Sequence, residues 1–559
     1  MDVRREIQEA LAHAGAEVGV HVDAQEVPLE HTDDFAHGDY ASGIALARAK
    51  EAGIAPRALA EEIATALNVG HPMSYIAKIE IAGPGFINFY LATAALAEAV
   101  EEARQEGMWG SNRNLSGKRI MVEYTDPNPF KEFHIGHLMS NAIGESIARL
   151  LEFSGAEVYR ANYQGDVGPH VAKTIWAVKN KKVAGVSWGV AYVVGNQAYE
   201  SDGGAKKEID EINAKLYDRS DSAINEMYDA GRRASLAHFE ELYKILGTKF
   251  DHYFFESETA PRGLELVRKN PGVFEGSDGA IVYKGEKDGL HTRVFVTSKG
   301  LPTYETKDLG LAQLKSETWP FDISITVTAH EQADYFAVVL AAMRKVLPGI
   351  ASKIGHVSHG MMRFADGKMS SRTGNVITGE SLLSDLKDAA LARARESRAD
   401  DPEDLAQQIA VGAIKYQILR QASGKDIIFD RARALSLDGD SGPYLQYTHA
   451  RAHQVIAKAR AEGINPRGLA SRIPESAVHL VRLLHRFPEV AARAAQVREP
   501  HLITNFLIEF AAAFNSWYAQ VHIVDGTADA PHKVAVADAV RSTLKQGLWL
   551  LGIPAPEKM

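Results

Sequence analysis

His134-Ile135-Gly136-His137 sets two imidazoles three residues apart around a glycine, directly after an apolar run and a loop broken by Pro127 and Pro129. At the first turn of a helix this spacing puts both rings on one face, beside backbone N–H groups that lack intrahelical partners, and the combination suits a polyphosphate. Gly136 has no side chain to block a flat base. Helix-capping histidines show the same pattern, and four letters of this kind recur by chance. A second group, Lys368-Met369-Ser370-Ser371-Arg372, lies in the glycine-containing loop FADGKMSSRTGN. After loop closure its lysine could reach phosphates, and its hydroxyl and N–H groups add donors that matter most in a transition state. Alone, a basic polar loop also fits a solvated surface. The two groups occur in this order, about 230 residues apart, and the pair is far more specific than either member.

The elements that must position these residues read as an α/β core. Strand IMVEY, a loop, a helix through LMSNAIGESIARLLEFSG and strand EVYRANY make a βαβ unit. Asn162, Gly165 and Asp166 in NYQGDVG follow that last strand, where a doubly wound sheet presents residues at its carboxyl edge; a tight turn with Asp166 capping the next helix is the other reading. A charged helical stretch from Lys206 to Leu246 interrupts the pattern, and GAIVYK, RVFVTS and DISITVT are expected to resume it as strands before helix DYFAVVLAAMRKVL. The expected architecture is multidomain α/β. It has a small α+β block at 1–115, a Rossmann-like parallel-sheet domain at 116–400 with a helical insertion at about 180–260, and an all-helical bundle at 401–559.

Composition narrows the function classes. The 559 residues exceed what one core supports, and no run approaches the length needed to span a bilayer, so a cytoplasmic enzyme with no membrane association is expected. The absence of cysteine excludes disulfides, thiol catalysis and Cys-ligated zinc, and no other ligand spacing suggests a metal site. The net charge of -10 is unevenly spread: residues 1–110 carry 7 Lys/Arg against 18 Asp/Glu, whereas 430–559 carry 15 against 12 plus seven His. A local basic face in the last block, or a merely solvated surface, fits those counts.

HIGH followed by KMSxx resembles the class I aminoacyl-tRNA synthetases. VEYTDPNPFKEFHIGHL, NYQGDVG, LPTYETKD and DGDSGPYLQYTHAR together resemble the arginyl-tRNA synthetases over nearly the whole chain. YASGIALARAK and AGPGFINFYL are similar to that family's additional tRNA-elbow domain, and the last block to its anticodon-binding bundle. The resemblance implies arginine activation by ATP with Mg2+, then transfer to tRNA-Arg. It implies no prosthetic group and no obligate protein partner, and tRNA must be present for the first step. An editing domain is not expected, because a pocket built on hydrogen bonds to a guanidinium rejects most competitors at binding.

Carried over by position, the resemblance assigns arginine binding to Glu123, Asn128, Asn162, Asp166, Tyr304, Asp308 and Gln332. A planar fork of five donors suits such carboxylates and a phenol. ATP falls to His134, Gly136, His137, Lys368 and Met369, with Ser370 and Arg372 assisting catalysis. The usual second lysine of KMSKS is Ser371 here, and Lys131, three residues before His134, is the expected replacement; a lysine near a helix start can also be simply solvated. Tyr444, Gln446, Tyr447, Arg451 and Trp517, with Tyr518 beside it, are the expected tRNA contacts, although aromatics at helical spacing also serve as core. A different class I synthetase, a small HxGH nucleotidylyltransferase and a tRNA-binding protein without catalysis are the rival functions.

Overall fold

The computed structural model describes the chain except residues 1, 72, 106, 181–187, 366–376, 398, 467, 470 and 471. It divides into two compact units. One comprises Gly110–Ala450, Glu489–Ile508 and Lys545–Met559; the other comprises Met1–Trp109, Arg451–Pro488 and Glu509–Leu544.

The first unit is built on five parallel strands. Strand β1 (Arg119–Glu123) leads into helix α1 (Ile135–Phe153), β2 (Glu157–Gln164) and α2 (Pro169–Lys179). Three helices then intervene, α3 (Trp188–Ser201), α4 (Gly203–Asp218) and α5 (Ser222–Leu246), where the charged insertion was expected. The sheet continues with β3 (His252–Phe255), α6 (Glu256–Lys269), α7 (Tyr304–Thr318), β4 (Ile323–Ala329), α8 (Ala333–Val346) and β5 (Ile354–His359). Spatial order is β3-β2-β1-β4-β5, every neighbouring pair parallel. This is a doubly wound sheet whose winding reverses between β1 and β4, and such sheets bind ligands in the crevice beyond the strand ends at that point. Ile120, Met121 and Val122 in β1 are all buried, as helices on both faces of a parallel sheet require.

Two expected strands lie elsewhere. Ala280–Tyr283 and Arg293–Val296 pair antiparallel in a separate three-stranded sheet with Glu275–Ser277, while β3 and β5 complete the main sheet. The insertion helices pack on α2 around Ile175, Ile209, Ile212 and Tyr228.

The second unit holds a four-stranded antiparallel sheet in the order Glu30–His31, Tyr40–Ser42, Phe86–Leu91, Ile76–Ala82, with helices Val3–Glu17, Ile44–Ala52, Pro56–Gly70 and Thr93–Arg104. Part of its acidic surplus is paired internally: Asp39 Oδ1 lies 2.6 Å from Arg482 Nε, and the Phe35 ring contacts the Arg482 and Arg486 guanidinium groups at 4.1 and 4.4 Å. Among the described residues no helix is long and apolar enough to cross a membrane.

Candidate active site at the carboxyl edge of the sheet

His134 sits in extended backbone as the N-cap of α1, and its N–H donates to His137 Nδ1 at 3.2 Å. The two rings stack with centroids 3.4 Å apart. A Cβ at Gly136 would meet the His134 ring at 3.0 Å, so the glycine keeps the first imidazole in place as well as leaving open space. Desolvation, with the Lys131 ammonium nearby, pushes His134 down to about 4; burial, then His134 and Lys131, pushes His137 well below its ordinary value. Both rings are therefore neutral at pH 7, and the positive charge beside them is that of Lys131. Lys131 is half-buried, with Nζ 5.2 Å from the Tyr192 ring centroid in α3.

The loop joining β1 to α1 is held in a conformation that few side chains adopt. Thr125, Asp126 and Phe130 all have positive φ, at 78°, 47° and 69°. Such residues persist only where their surroundings over-determine them. Here Thr125 N–H donates to Ser140 Oγ at 2.9 Å, Asp126 Oδ1 accepts from Tyr163 N–H at 2.7 Å, and Phe130 N–H donates to Ser235 Oγ at 3.0 Å. Gly165 N–H donates to Asn128 Oδ1 at 3.2 Å, and a Cβ at Gly165 would lie 2.3 Å from that oxygen. Asn128 thus stands at the cleft because a glycine follows β2.

Asn162 and Asp166 are buried behind this surface. Asn162 Nδ2 donates to Tyr124 O at 3.0 Å. The Asp166 carboxylate accepts from Tyr228 OH at 2.6 Å and from both Ser257 N–H and Oγ, with Arg232 Nε at 3.2 Å. It therefore caps the first turn of α6 and does not cap the helix that follows it in sequence. Both residues position the loop, and their polar atoms face protein partners.

Helix α7 carries the acidic wall. Tyr304, 59% exposed, stands at its first turn, with Asp308 one turn deeper on the same face. Asp308 Oδ2 accepts from the Tyr335 hydroxyl at 2.6 Å; burial, reinforced by the Glu123 and Glu256 carboxylates, pushes its carboxyl up to about 7. Glu123, the last residue of β1, is buried, with Oε2 2.9 Å from Lys315 Nζ. Glu256 forms a buried pair with Lys307 at 2.5 Å. Gln332 is exposed in the single turn His330–Gln332 that follows β4. The sequence reading missed Asp126, Glu256, Lys307, Lys315 and Tyr335. Lys315 carried a usable signal, because it stands seven residues after Asp308 and so shares its helix face.

Lys368, Met369, Ser370 and Arg372 lie outside the described residues. Of the expected tRNA contacts, Tyr444, Tyr447 and Arg451 are partly exposed, and the Arg451 guanidinium lies 5.0 Å from the Tyr518 ring. Gln446 and Trp517 are corrections. The Gln446 amide is fully buried and donates to the carbonyls of Gln408 and Pro554, both at 3.0 Å, and the Trp517 indole is buried with its N–H on Ser476 Oγ. The exposed aromatic of that pair is Tyr518.

Three family models match along the chain: an arginyl tRNA synthetase N terminal domain at 1–91, the catalytic domain of class I (R) tRNA synthetases at 100–431, and a DALR anticodon binding domain at 445–559. An arginine–tRNA ligase of Treponema pallidum is 30% identical over 96% of each chain, and one of Clostridium perfringens is 30% identical over 90% of this chain and 91% of its own. The solved arginyl-tRNA synthetase of Thermus thermophilus superposes over the full length of both chains with a TM-score of 0.77 at 27% identity. That of Plasmodium falciparum, 19% identical, shares the fold with a TM-score of 0.81 over 100% of this chain and 99% of its own. A crevice at the carboxyl edge of a doubly wound sheet, with an acidic wall, thus lies in a chain along which the three parts of one enzyme match end to end, and the chain belongs to the class I arginyl-tRNA synthetases.

Proposed function

We propose that arginine binds with its guanidinium on the Asp308 wall, flanked by Tyr304, Glu123, Asn128 and Gln332, and that ATP lies across the head of α1. Its phosphates, with their Mg2+, meet His134, His137, Lys131 and the loop of Lys368, Met369, Ser370 and Arg372. The arginine carboxylate attacks the α-phosphate, pyrophosphate leaves, and the arginyl group passes to the 3′ adenosine of tRNA-Arg. Positioning and charge stabilisation suffice, and no side chain has to act as acid or base. Tyr444, Tyr447, Arg451 and Tyr518 each have the chemistry to stack on or hydrogen-bond unpaired anticodon bases. The protein works in the cytoplasm, where its tRNA is, with the block 1–115 as an accessory tRNA-binding module.

The observation that supports this reading most is the state of Asp308. A buried carboxyl whose proton affinity is raised by neighbouring carboxylates gains from a cation, and a guanidinium supplies one that stays charged at any working pH. The test is ATP–pyrophosphate exchange across the amino acids, with and without tRNA-Arg. Exchange with arginine alone, requiring the tRNA and lost in Asp308→Asn, is the expected result. Exchange without RNA would defeat the tRNA-dependent step, and an unaltered arginine KM in Asp308→Asn would defeat the pocket.

A further inference from the structure

Lys315 sits two turns beyond Asp308 along the same face of α7 and reaches β1 through the interior. Its side chain and that of Glu123 are each 4% exposed, with Nζ and Oε2 2.9 Å apart. A lysine buried to this degree at the inner end of a substrate wall is costly unless its charge is used. We propose that Lys315 is a positioning residue of the arginine pocket: it neutralises and fixes Glu123, so that Asp308 is left as the one carboxylate matched to the single charge of a guanidinium. This rests on the pocket reading above.

The surroundings bear on the charge count. Asp308 is faced by Glu123 from β1, Asp126 from the following loop, Tyr163 from β2, Glu256 from α6 and Tyr335 from α8, with Glu305 and Lys315 on its own helix. Glu256 already has Lys307 at 2.5 Å, and Asp126 already accepts a backbone N–H. Glu123 has Lys315 as its ion-pair partner among the described residues. Without that ammonium, the Glu123 charge would act on Asp126 and Asp308 uncompensated, both would hold their protons to higher pH, and a guanidinium would have to displace them. Lys315 need touch neither substrate for this effect.

The test is the pH at which the arginine KM begins to climb on acidification, followed in four forms of the full-length enzyme with tRNA-Arg present. Relative to wild type, Lys315→Met should move that midpoint about one unit alkaline and raise the arginine KM about fivefold at pH 7, with the ATP KM unchanged. Glu123→Gln, which leaves the lysine uncompensated, should move the midpoint acidic, and the double variant should return it close to wild type. Lys315→Arg should restore the midpoint. If Lys315→Met does not fold, the comparison of Glu123→Gln with the double variant carries the same test, since removing both charges together avoids a lone buried ion. An unmoved midpoint in either comparison overturns the proposal, as does a parallel rise in arginine and ATP KM. Asp308→Asn separates the two readings: if it keeps the wild-type profile the pocket reading fails, whereas if it flattens the profile while Lys315→Met leaves the midpoint in place, only the role of Lys315 fails.

Discussion

In the proposed arginine pocket, Asp308 is the residue through which pH would reach substrate binding. Its carboxyl is pushed up to about 7 chiefly by burial, so below that value it is protonated and a bound guanidinium must displace the proton; above it the carboxylate is free to pair. Arginine KM is therefore expected to be flat above pH 7.5 and to rise toward tenfold per unit below pH 6.5, roughly the slope of one linked proton. Steady-state kinetics from pH 6 to 8 checks this, and a persistent slope in Asp308→Asn would assign it elsewhere. The histidines cannot supply that limb, because burial holds His134 down at about 4 and holds His137 well below its ordinary value. The ATP KM should accordingly stay level over the same range. Gly165 gives a second prediction at this scale. A Cβ there would lie 2.3 Å from Asn128 Oδ1, so Gly165→Ala should displace Asn128 and cost on the order of 10- to 100-fold in kcat/KM for arginine, with little change in melting temperature. Residue identity at the cleft was legible in sequence through HIGH, VEYTDPN and TYETKD. Of the buried counter-charges, Lys315 could be found only through its spacing from Asp308, and Lys307 reads as ordinary helix surface until the helix is known to be covered on nearly every side.

The elements matter because the acidic wall is only as well placed as α7. That helix crosses α6 at backbone contact: a Cβ on Gly263 would lie 1.9 Å from Thr306 O, and one on Gly310 would lie 2.1 Å from Thr259 O. Gly310→Ala must push the helices apart, and overpacking of this kind costs about 1–3 kcal/mol. The expected outcome is a lower melting temperature together with a raised arginine KM and an unchanged ATP KM, since Tyr304 and Asp308 ride on the displaced helix and the HIGH residues do not. A melting curve and two KM values decide it; an arginine KM at the wild-type value would mean that the crossing does not set the wall. Element prediction from sequence succeeded where the physical signal was strong. The apolar run IMV marked β1, because a strand buried on both faces cannot alternate, and the β-branched alternation of ISITV marked β4. It failed for β3, whose four residues HYFF are too few to show a period, and for β5, whose IGHVSH carries two histidines and a serine on a partly covered edge. The runs in GAIVYK and RVFVTS do form strands, but local pattern does not say which sheet a strand joins, and they pair with each other.

At the scale of the whole molecule, the helix that begins with HIGH is fastened by the last residues of the chain. Ser146 Oγ donates to Leu550 O and Arg149 Nη1 to Trp549 O, both at 2.8 Å, across about 400 positions of sequence. Lys415 completes the join: fully buried, its ammonium donates to Leu246 O, at the end of α5, at 2.6 Å and to Gly552 O at 2.9 Å. The last carbonyl of α5 and one just beyond the helix Ala530–Leu550 thus face one cation. Burial, with Arg149 adding repulsion, still pushes this lysine down to about 7 from an ordinary 10.5. Below pH 7 both the folded and the unfolded chain carry the proton, and the cost of burying the charge is fully present. Between about 7 and 10.5 the unfolded chain binds more protons, so raising the pH favours the folded state. Wild type should therefore gain stability from pH 7 to pH 9 relative to Lys415→Met by roughly 2 kcal/mol, whatever other groups common to both proteins titrate in that range. Thermal melts of the two proteins at the two pH values measure the difference: a gap in melting temperature that shifts in favour of wild type as pH rises supports a lysine uncharged in the alkaline fold, and parallel curves would mean that it keeps its proton and that the two carbonyls fully solvate the ammonium.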